Sequence, residues 1–257
     1  MAAFEVVPLR AFSDNYIWTI RDVGHAAVVD PGDAAPVLDY LDREKLALVA
    51  ILNTHHHADH VGGNGELLNH KDVPVFGPHD ARIAEVTHRL AEGERITLPH
   101  FGVELSVMEI PGHTRSHIAF HGGGMLYCGD TLFAAGCGRL FEGTPQQMHD
   151  SLTKLMQLPD ATRVYCGHEY TLSNIRFARA AEPASRALQE LEARVQRLRE
   201  QDLPTLPSTI AQEKATNPFV RCTEPAIVSN ASRYAGKTLS DPVSVLATLR
   251  EWKNNFR

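Results

Sequence analysis

Seven residues, Thr54-His55-His56-His57-Ala58-Asp59-His60, put three spaced imidazoles and a carboxylate into one short stretch that reads T-H-x-H-x-D-H. Imidazole and carboxylate together are ligands for zinc, iron or manganese. The stretch follows the apolar run Leu46–Leu52, which reads as a buried strand able to hold ligands rigidly. His56 lies between His55 and His57. On an extended backbone it faces the opposite way, so it is expected outside the ligand set. Three later stretches repeat the same grammar of a strand followed by a turn bearing His or Asp. They are Pro111-Gly112-His113-Thr114 after Val103–Ile110, Gly129-Asp130 after Met125–Cys128, and Gly167-His168 after Arg163–Cys166. Each is weak alone, because Gly-His and Gly-Asp pairs are common turn residues. Taken with the first cluster they make seven candidate ligands: His55, His57, Asp59, His60, His113, Asp130 and His168. One zinc needs fewer, whereas two metals sharing a carboxylate use them all. Asp30 and His117 are read with equal weight as turn or core residues and as residues that orient ligands.

The elements that must position these residues are mainly short β-type runs up to about Ala135. Phe4–Leu9, Tyr16–Arg21, Ala26–Asp30, Leu46–Leu52, Val73–Phe76, Arg95–Leu98, Val103–Ile110, Ile118–His121 and Met125–Cys128 are predicted strands. Ala35–Leu41 and Val61–Asn69 are predicted helical, with a helical turn across Asp80–Leu90. After Gly143 the texture changes. Thr144 caps a helix with Pro145 at its first position, and Arg163–Cys166 is a last strand. Helices are then predicted over Tyr170–Ala180, Pro183–Gln201, Thr223–Arg233 and Pro242–Trp252. The alternation of strands and helices favours an α/β layered core over an all-β sandwich. The expected division is residues 1–169 as a metal-binding domain and 170–257 as a helical, substrate-binding one.

Composition narrows the function classes. The chain has 257 residues, 43% of them hydrophobic and 22% charged, as expected for a globular protein with a sizeable core. A net charge of −6 argues against nucleic acid or an anionic membrane as partner. Four cysteines, Cys128, Cys137, Cys166 and Cys222, form no C-x-x-C pair, so reduced thiols and a cytoplasmic location are expected. Met1–Val7 has no leader-like pattern, and no apolar run is long enough to span a bilayer.

The ligand set T-H-x-H-x-D-H, G-H-T, G-D and G-H resembles the metallo-β-lactamase superfamily, whose fold is a four-layered αββα sandwich. Asp14-Asn15-Tyr16, Gly136–Gly143, Cys166–Tyr170, Asn217-Pro218-Phe219 and Arg250–Lys253 are similar to glyoxalase II, the hydroxyacylglutathione hydrolase family. That resemblance implies a C-terminal helical domain and two divalent metal ions, zinc foremost, with iron or manganese as other choices. It gives His55, His57 and His113 to one metal and Asp59, His60 and His168 to the other. Asp130 and a water or hydroxide bridge the two, so Asp59 and Asp130 are the catalytic residues that hold the nucleophile. Substrate contacts are implied for Arg139, Phe141, Tyr170, Arg250 and Lys253. Many relatives carry Lys in place of Arg139 and Tyr in place of Phe141, so a substrate contact at Phe141 falls to its backbone.

The implied reaction is hydrolysis of S-D-lactoylglutathione, a step of methylglyoxal detoxification. Hydroxide attacks the thioester carbonyl, and the thiol, with a free pKa of about 8.5, leaves as thiolate. The partner expected is a glutathione thioester, acted on by a monomer. No Ser-His or Cys-His nucleophile competes, Cys166 included. An alternative on the same fold is a one-iron glutathione persulfide dioxygenase. A closed structural zinc site is disfavoured, since it uses four ligands and leaves no open position.

Overall fold

The computed structural model describes residues 4–98 and 100–256. The reading of Met1–Ala3 as leader-free therefore lies outside the described residues. The chain divides into two compact units, residues 1–109 with 116–129, and residues 110–115 with 130–257.

The first unit begins β1 (Glu5–Ala11), β2 (Asn15–Arg21), β3 (His25–Val29), α1 (Ala35–Glu44) and β4 (Ala47–Leu52). It continues with α2 (Ala58–Val61), α3 (Asn64–His70), β5 (Val75–Pro78) and β6 (His88–Leu90). The strands β1 to β6 make one sheet in sequence order, antiparallel from β1 to β3 and parallel from β3 to β6. The parallel part explains the composition of β4, Ala-Leu-Val-Ala-Ile-Leu. A strand flanked in parallel by two others and covered on its faces reads as a continuous apolar run. Val28, Ile51 and Val75 of this sheet pack with Val37, Tyr40 and Leu41 of α1 and Leu67 of α3. The remaining strands, β7 (Arg95–Leu98), β8 (Val103–Glu109), β9 (Ile118–Gly122) and β10 (Met125–Gly129), form an antiparallel meander.

The second unit holds β11 (Leu132–Phe133), β12 (Gly136–Cys137), α4 (Pro145–Leu155), β13 (Arg163–Cys166), α5 (Thr171–Ala181) and α6 (Arg186–Glu200). Then come β14 (Ser208–Thr209), α7 (Ile210–Thr216), a 3-10 turn at Pro218–Val220, α8 (Pro225–Ala235) and α9 (Pro242–Asn254). Thr144 starts α4 with a full capping box: its hydroxyl accepts from Gln147 N, and the Gln147 side chain accepts from Thr144 N.

One predicted element is not there. Asp80–Leu90 is a succession of turns leading into β6, although Ile83, Val86 and Leu90 are buried. Asp80 binds Arg82 through both carboxylate oxygens, and Arg89 Nη1 donates to the carbonyls of Pro78 and Asp80. Thr87 Oγ1 accepts from Val75 N, and β6 pairs with β5. These backbone groups are satisfied by side chains and by the sheet, so the segment has no need of helical bonds.

Candidate metal and substrate site

In the first unit the ligand stretch grows from the end of β4. Leu52 O accepts from Asp30 N (2.8 Å), and the buried Asp30 carboxylate takes Thr54 N (2.7 Å) and Thr54 Oγ1 (2.7 Å). Because the Thr54 hydroxyl donates to Asp30, it can only accept from His55 Nδ1, 3.1 Å away. That sets the His55 tautomer and turns the Nε2 lone pair toward His57, whose Nδ1 is 3.1 Å off. Asp30 Oδ2 also lies 3.1 Å from His60 Nδ1, which leaves His60 Nε2 aimed at Asp59 Oδ2, 3.5 Å away. Asp30, His55 and His60 form one buried group, each offering a ligand atom within 4.8 Å of the others. Asn15 Nδ2 holds Asp59 by its carboxylate (3.0 Å) and by its carbonyl (3.2 Å). Asn53 and Asn64 exchange amide bonds, and Asn53 also donates to His60 O, so the loop is tied from behind.

Two glycines make this packing sterically feasible. A Cβ on Gly32 would sit 1.9 Å from Asp59 O, and one on Gly129 would sit 2.2 Å from Thr54 Oγ1. Gly129 also has φ +46°, a left-handed backbone that disfavours side chains. His117 stacks on His55 with centroids 4.5 Å apart, while its Nδ1 meets Ile118 O at 3.0 Å. His56 points elsewhere: its Nδ1 lies 3.5 Å from Asp80, whose carboxyl is held well below the usual range by Arg82.

In the second unit Asp130, His113 and His168 come together. His113 Nε2 and His168 Nε2 lie 3.5 and 3.3 Å from Asp130 Oδ2. The other nitrogen of His113, Nδ1, meets Arg139 O at 2.9 Å, so the ring presents Nε2 to the carboxylate. An imidazole fixed through one nitrogen and presenting the other is the arrangement that metal-binding histidines require. On this ground the residues of each unit fit a divalent metal. His168 stacks flat on Tyr170 (4.6 Å, 3°), and Phe133 meets Tyr170 edge-on at 5.3 Å.

A cleft of about 520 Å³ opens beside these ligands within the same unit, with Arg139, Phe141, Tyr170, Arg250 and Lys253 in its wall. Arg250 is buried, contrary to a solvated helix face. Its Nη1 donates to Cys137 O (2.8 Å), its Nε donates to Asn254 Oδ1 (3.1 Å), and its guanidinium lies 5.3 Å from the Phe219 ring. Lys253 Nζ lies 5.5 Å from the Phe177 ring centroid. Burial foremost, then the charges of Arg250 and Arg139, push its pKa down to about 8. Phe141 has an exposed ring, and its N–H donates to His113 O (3.3 Å). Cys166 is fully buried, and burial drives its thiol far up, which disfavours a nucleophilic thiolate.

Sequence reasoning missed Asn15 as the anchor of Asp59, although Asp14-Asn15-Tyr16 was in view as a motif. It also missed Asn53, Asn64 and Cys137 O. A buried amide pair and a backbone carbonyl leave no distinctive signal in a single sequence.

The fold is that of a metallo-β-lactamase, followed by a C-terminal helical region. A family model described as the metallo-β-lactamase superfamily matches residues 12–168, and one described as the hydroxyacylglutathione hydrolase C-terminus matches 169–256. The crystal structure of ETHE1 from Myxococcus xanthus shares the fold, with a TM-score of 0.63 at 23% identity, covering 99% of this chain and 100% of that one. A di-iron-bound form of TTHA1623 gives a TM-score of 0.58 at 26% identity, covering 84% of this chain and 99% of that one. The hydroxyacylglutathione hydrolase of Nitrosomonas europaea is 58% identical over 252 residues, covering 98% of this chain and 96% of the relative. The chain belongs to the hydroxyacylglutathione hydrolase family. Relatives matched over nearly its whole length carry that name, so the persulfide dioxygenase alternative is not favoured.

Proposed function

We propose that this chain hydrolyses S-(2-hydroxyacyl)glutathione thioesters, S-D-lactoylglutathione foremost, to glutathione and a 2-hydroxy acid such as D-lactate. The observation that carries the reading is the basic wall of the cleft. Arg139, Arg250 and Lys253 cluster in a chain of net charge −6, beside ligands that face one carboxylate. Glutathione carries carboxylates, and a guanidinium and an ammonium bind carboxylate by charge-assisted hydrogen bonds.

Two divalent metal ions, zinc foremost, would supply a hydroxide nucleophile near neutral pH and polarise the thioester carbonyl. His55, His57 and His113 would hold one ion, Asp59, His60 and His168 the other, with Asp130 shared. Asp59, steadied by Asn15, and Asp130, flanked by two imidazoles, are the carboxylates assigned to keep the attacking oxygen in place. Arg250, Lys253 and Arg139 orient the tripeptide so that the thioester faces Asp130, and Tyr170 and Phe141 line its path. The departing thiolate is a good leaving group at neutral pH, so the site needs no added general acid. Buried cysteines fit a reducing cytoplasm, and a monomeric enzyme in methylglyoxal detoxification is the corresponding cellular role. Among the described residues no helix is long and apolar enough to cross a membrane.

The test is hydrolysis of S-D-lactoylglutathione, followed by loss of thioester absorbance, with metal analysis of the same sample. Turnover is expected, and Arg250→Ala/Lys253→Ala should raise KM more than it lowers kcat. A metal-loaded protein that leaves the thioester intact, or that consumes oxygen with glutathione persulfide, overturns the reading.

A further inference from the structure

Helix α7 and the residue after it carry two fully buried polar side chains, Glu213 and Asn217, outside every role assigned so far. Both reach one short element, besides Gln212 Nε2 on Glu213 and Phe219 N on Asn217. Glu213 Oε2 accepts from Ala135 N (2.8 Å) and from Asn217 Nδ2 (3.0 Å). Asn217 Nδ2 also reaches Phe133 O (3.2 Å) and Gly136 O (2.9 Å), and Asn174 Nδ2 donates to Ala134 O (3.0 Å). The turn between β11 and β12 is thus held by side chains at each of its residues from Phe133 to Gly136. It needs holding, because Ala135 sits at φ +54°, which costs a residue with a Cβ about 1 kcal/mol or more.

What hangs on this turn is the substrate end of the cleft. Cys137 O, one residue past it, receives the Arg250 guanidinium at 2.8 Å. Phe133, at its start, braces the Tyr170 ring edge-on, 76° between planes. We propose that Glu213 and Asn217 are positioning residues for substrate recognition, which clamp the β11–β12 turn so that Cys137 O aims Arg250 and Phe133 seats Tyr170. The assignment of Arg250 and Tyr170 to glutathione rests on the proposed function; the clamp itself rests on the bonds above. A buried carboxyl is costly, and an apolar side chain would fill the same space, but it would leave Ala135 N unsatisfied and cut the tie between Glu213 and the Asn217 amide. Burial raises the Glu213 carboxyl to about 7, and either protonation state leaves Oε2 able to accept.

The experiment compares the metal-loaded wild type with Glu213→Ala, Asn217→Ser and Glu213→Gln at equal metal content. KM and kcat for S-D-lactoylglutathione are read alongside amide hydrogen exchange at Ala135 to Cys137. The first two variants should raise KM about tenfold with kcat within about twofold, and should speed exchange at those amides. Glu213→Gln can place its amide oxygen at the Oε2 position, and should keep KM within about twofold of wild type. A purely structural role would reduce the folded fraction and leave KM of that fraction unchanged. Unchanged KM in both disruptive variants, or a loss of kcat that follows lost metal, overturns the proposal. Exchange at Ala135 to Cys137 that matches wild type overturns the clamp, whatever the substrate. Failure of the wild type to cleave the thioester overturns the proposed function separately.

Discussion

Lys253 gives the sharpest test of how the cleft recognises an anion. Its ammonium is half-buried and has Arg250 and Arg139 as neighbours, which brings its pKa down to about 8. A carboxylate bound beside it favours the charged form, so affinity is full below that pH and is lost as pH rises through it. A group of pKa about 8 is about 90% protonated at pH 7 and about 10% at pH 9. If only the ammonium form binds, KM rises about tenfold across that interval, a difference of about 1.4 kcal/mol. Lys253→Arg keeps the charge over the whole range, so its KM should stay flat. The assay is steady-state thioester hydrolysis by both metal-loaded proteins from pH 7 to 9. Taking the ratio of the two KM profiles cancels any titration of the substrate amine or of the nucleophile. Parallel profiles in the two proteins would refute the assignment of Lys253 to substrate binding.

Other expectations follow from the same geometry. Asp59→Ala should leave about one metal fewer per chain by elemental analysis and lower kcat at least about a hundredfold. Gly129→Ala forces a Cβ to 2.2 Å from Thr54 Oγ1 at φ +46°. It should cost about 2–4 kcal/mol of stability in urea unfolding. Glu213 has its folded pKa raised to about 7 from 4.5, so its contribution to stability is greatest below the unfolded value and falls as pH climbs to about 7. Glu213→Gln removes that dependence, so the variant should gain on wild type between pH 5 and 8, by an amount on the order of 3 kcal/mol at most. A stability difference that does not change with pH would show that the buried carboxyl titrates normally.

Much of the site was legible because its chemistry sits in contiguous motifs at strand ends. The apolar β4 announces a covered parallel strand, and the residues after it have few uses other than metal binding. His56 was separable from its neighbours by backbone alternation, and Asp80 is what it faces. The helical turn expected over Asp80–Leu90 failed because Ile83, Val86 and Leu90 are buried without a helix, their backbone being served by Arg89, Thr87 and β5. Spacing reports which residues go inside and does not always report the hydrogen bonds that take them there. Helix α7 was overlooked, although Thr209 with Gln212 three residues on has the form of a capping box, and Thr209 Oγ1 does accept from Gln212 N. The burial of Glu213 and Arg250 could not be read from sequence, since charged residues on helices are ordinarily solvated.

The single carboxylate of Asp30 links a strand end, a threonine hydroxyl and the back of a histidine ring. Because protein atoms alone complete that linkage, the fold itself orients His55 and His60. A small zinc module differs, since there the ion itself draws the ligands together. The donors so oriented are imidazoles and carboxylates, which suit zinc, iron or manganese alike.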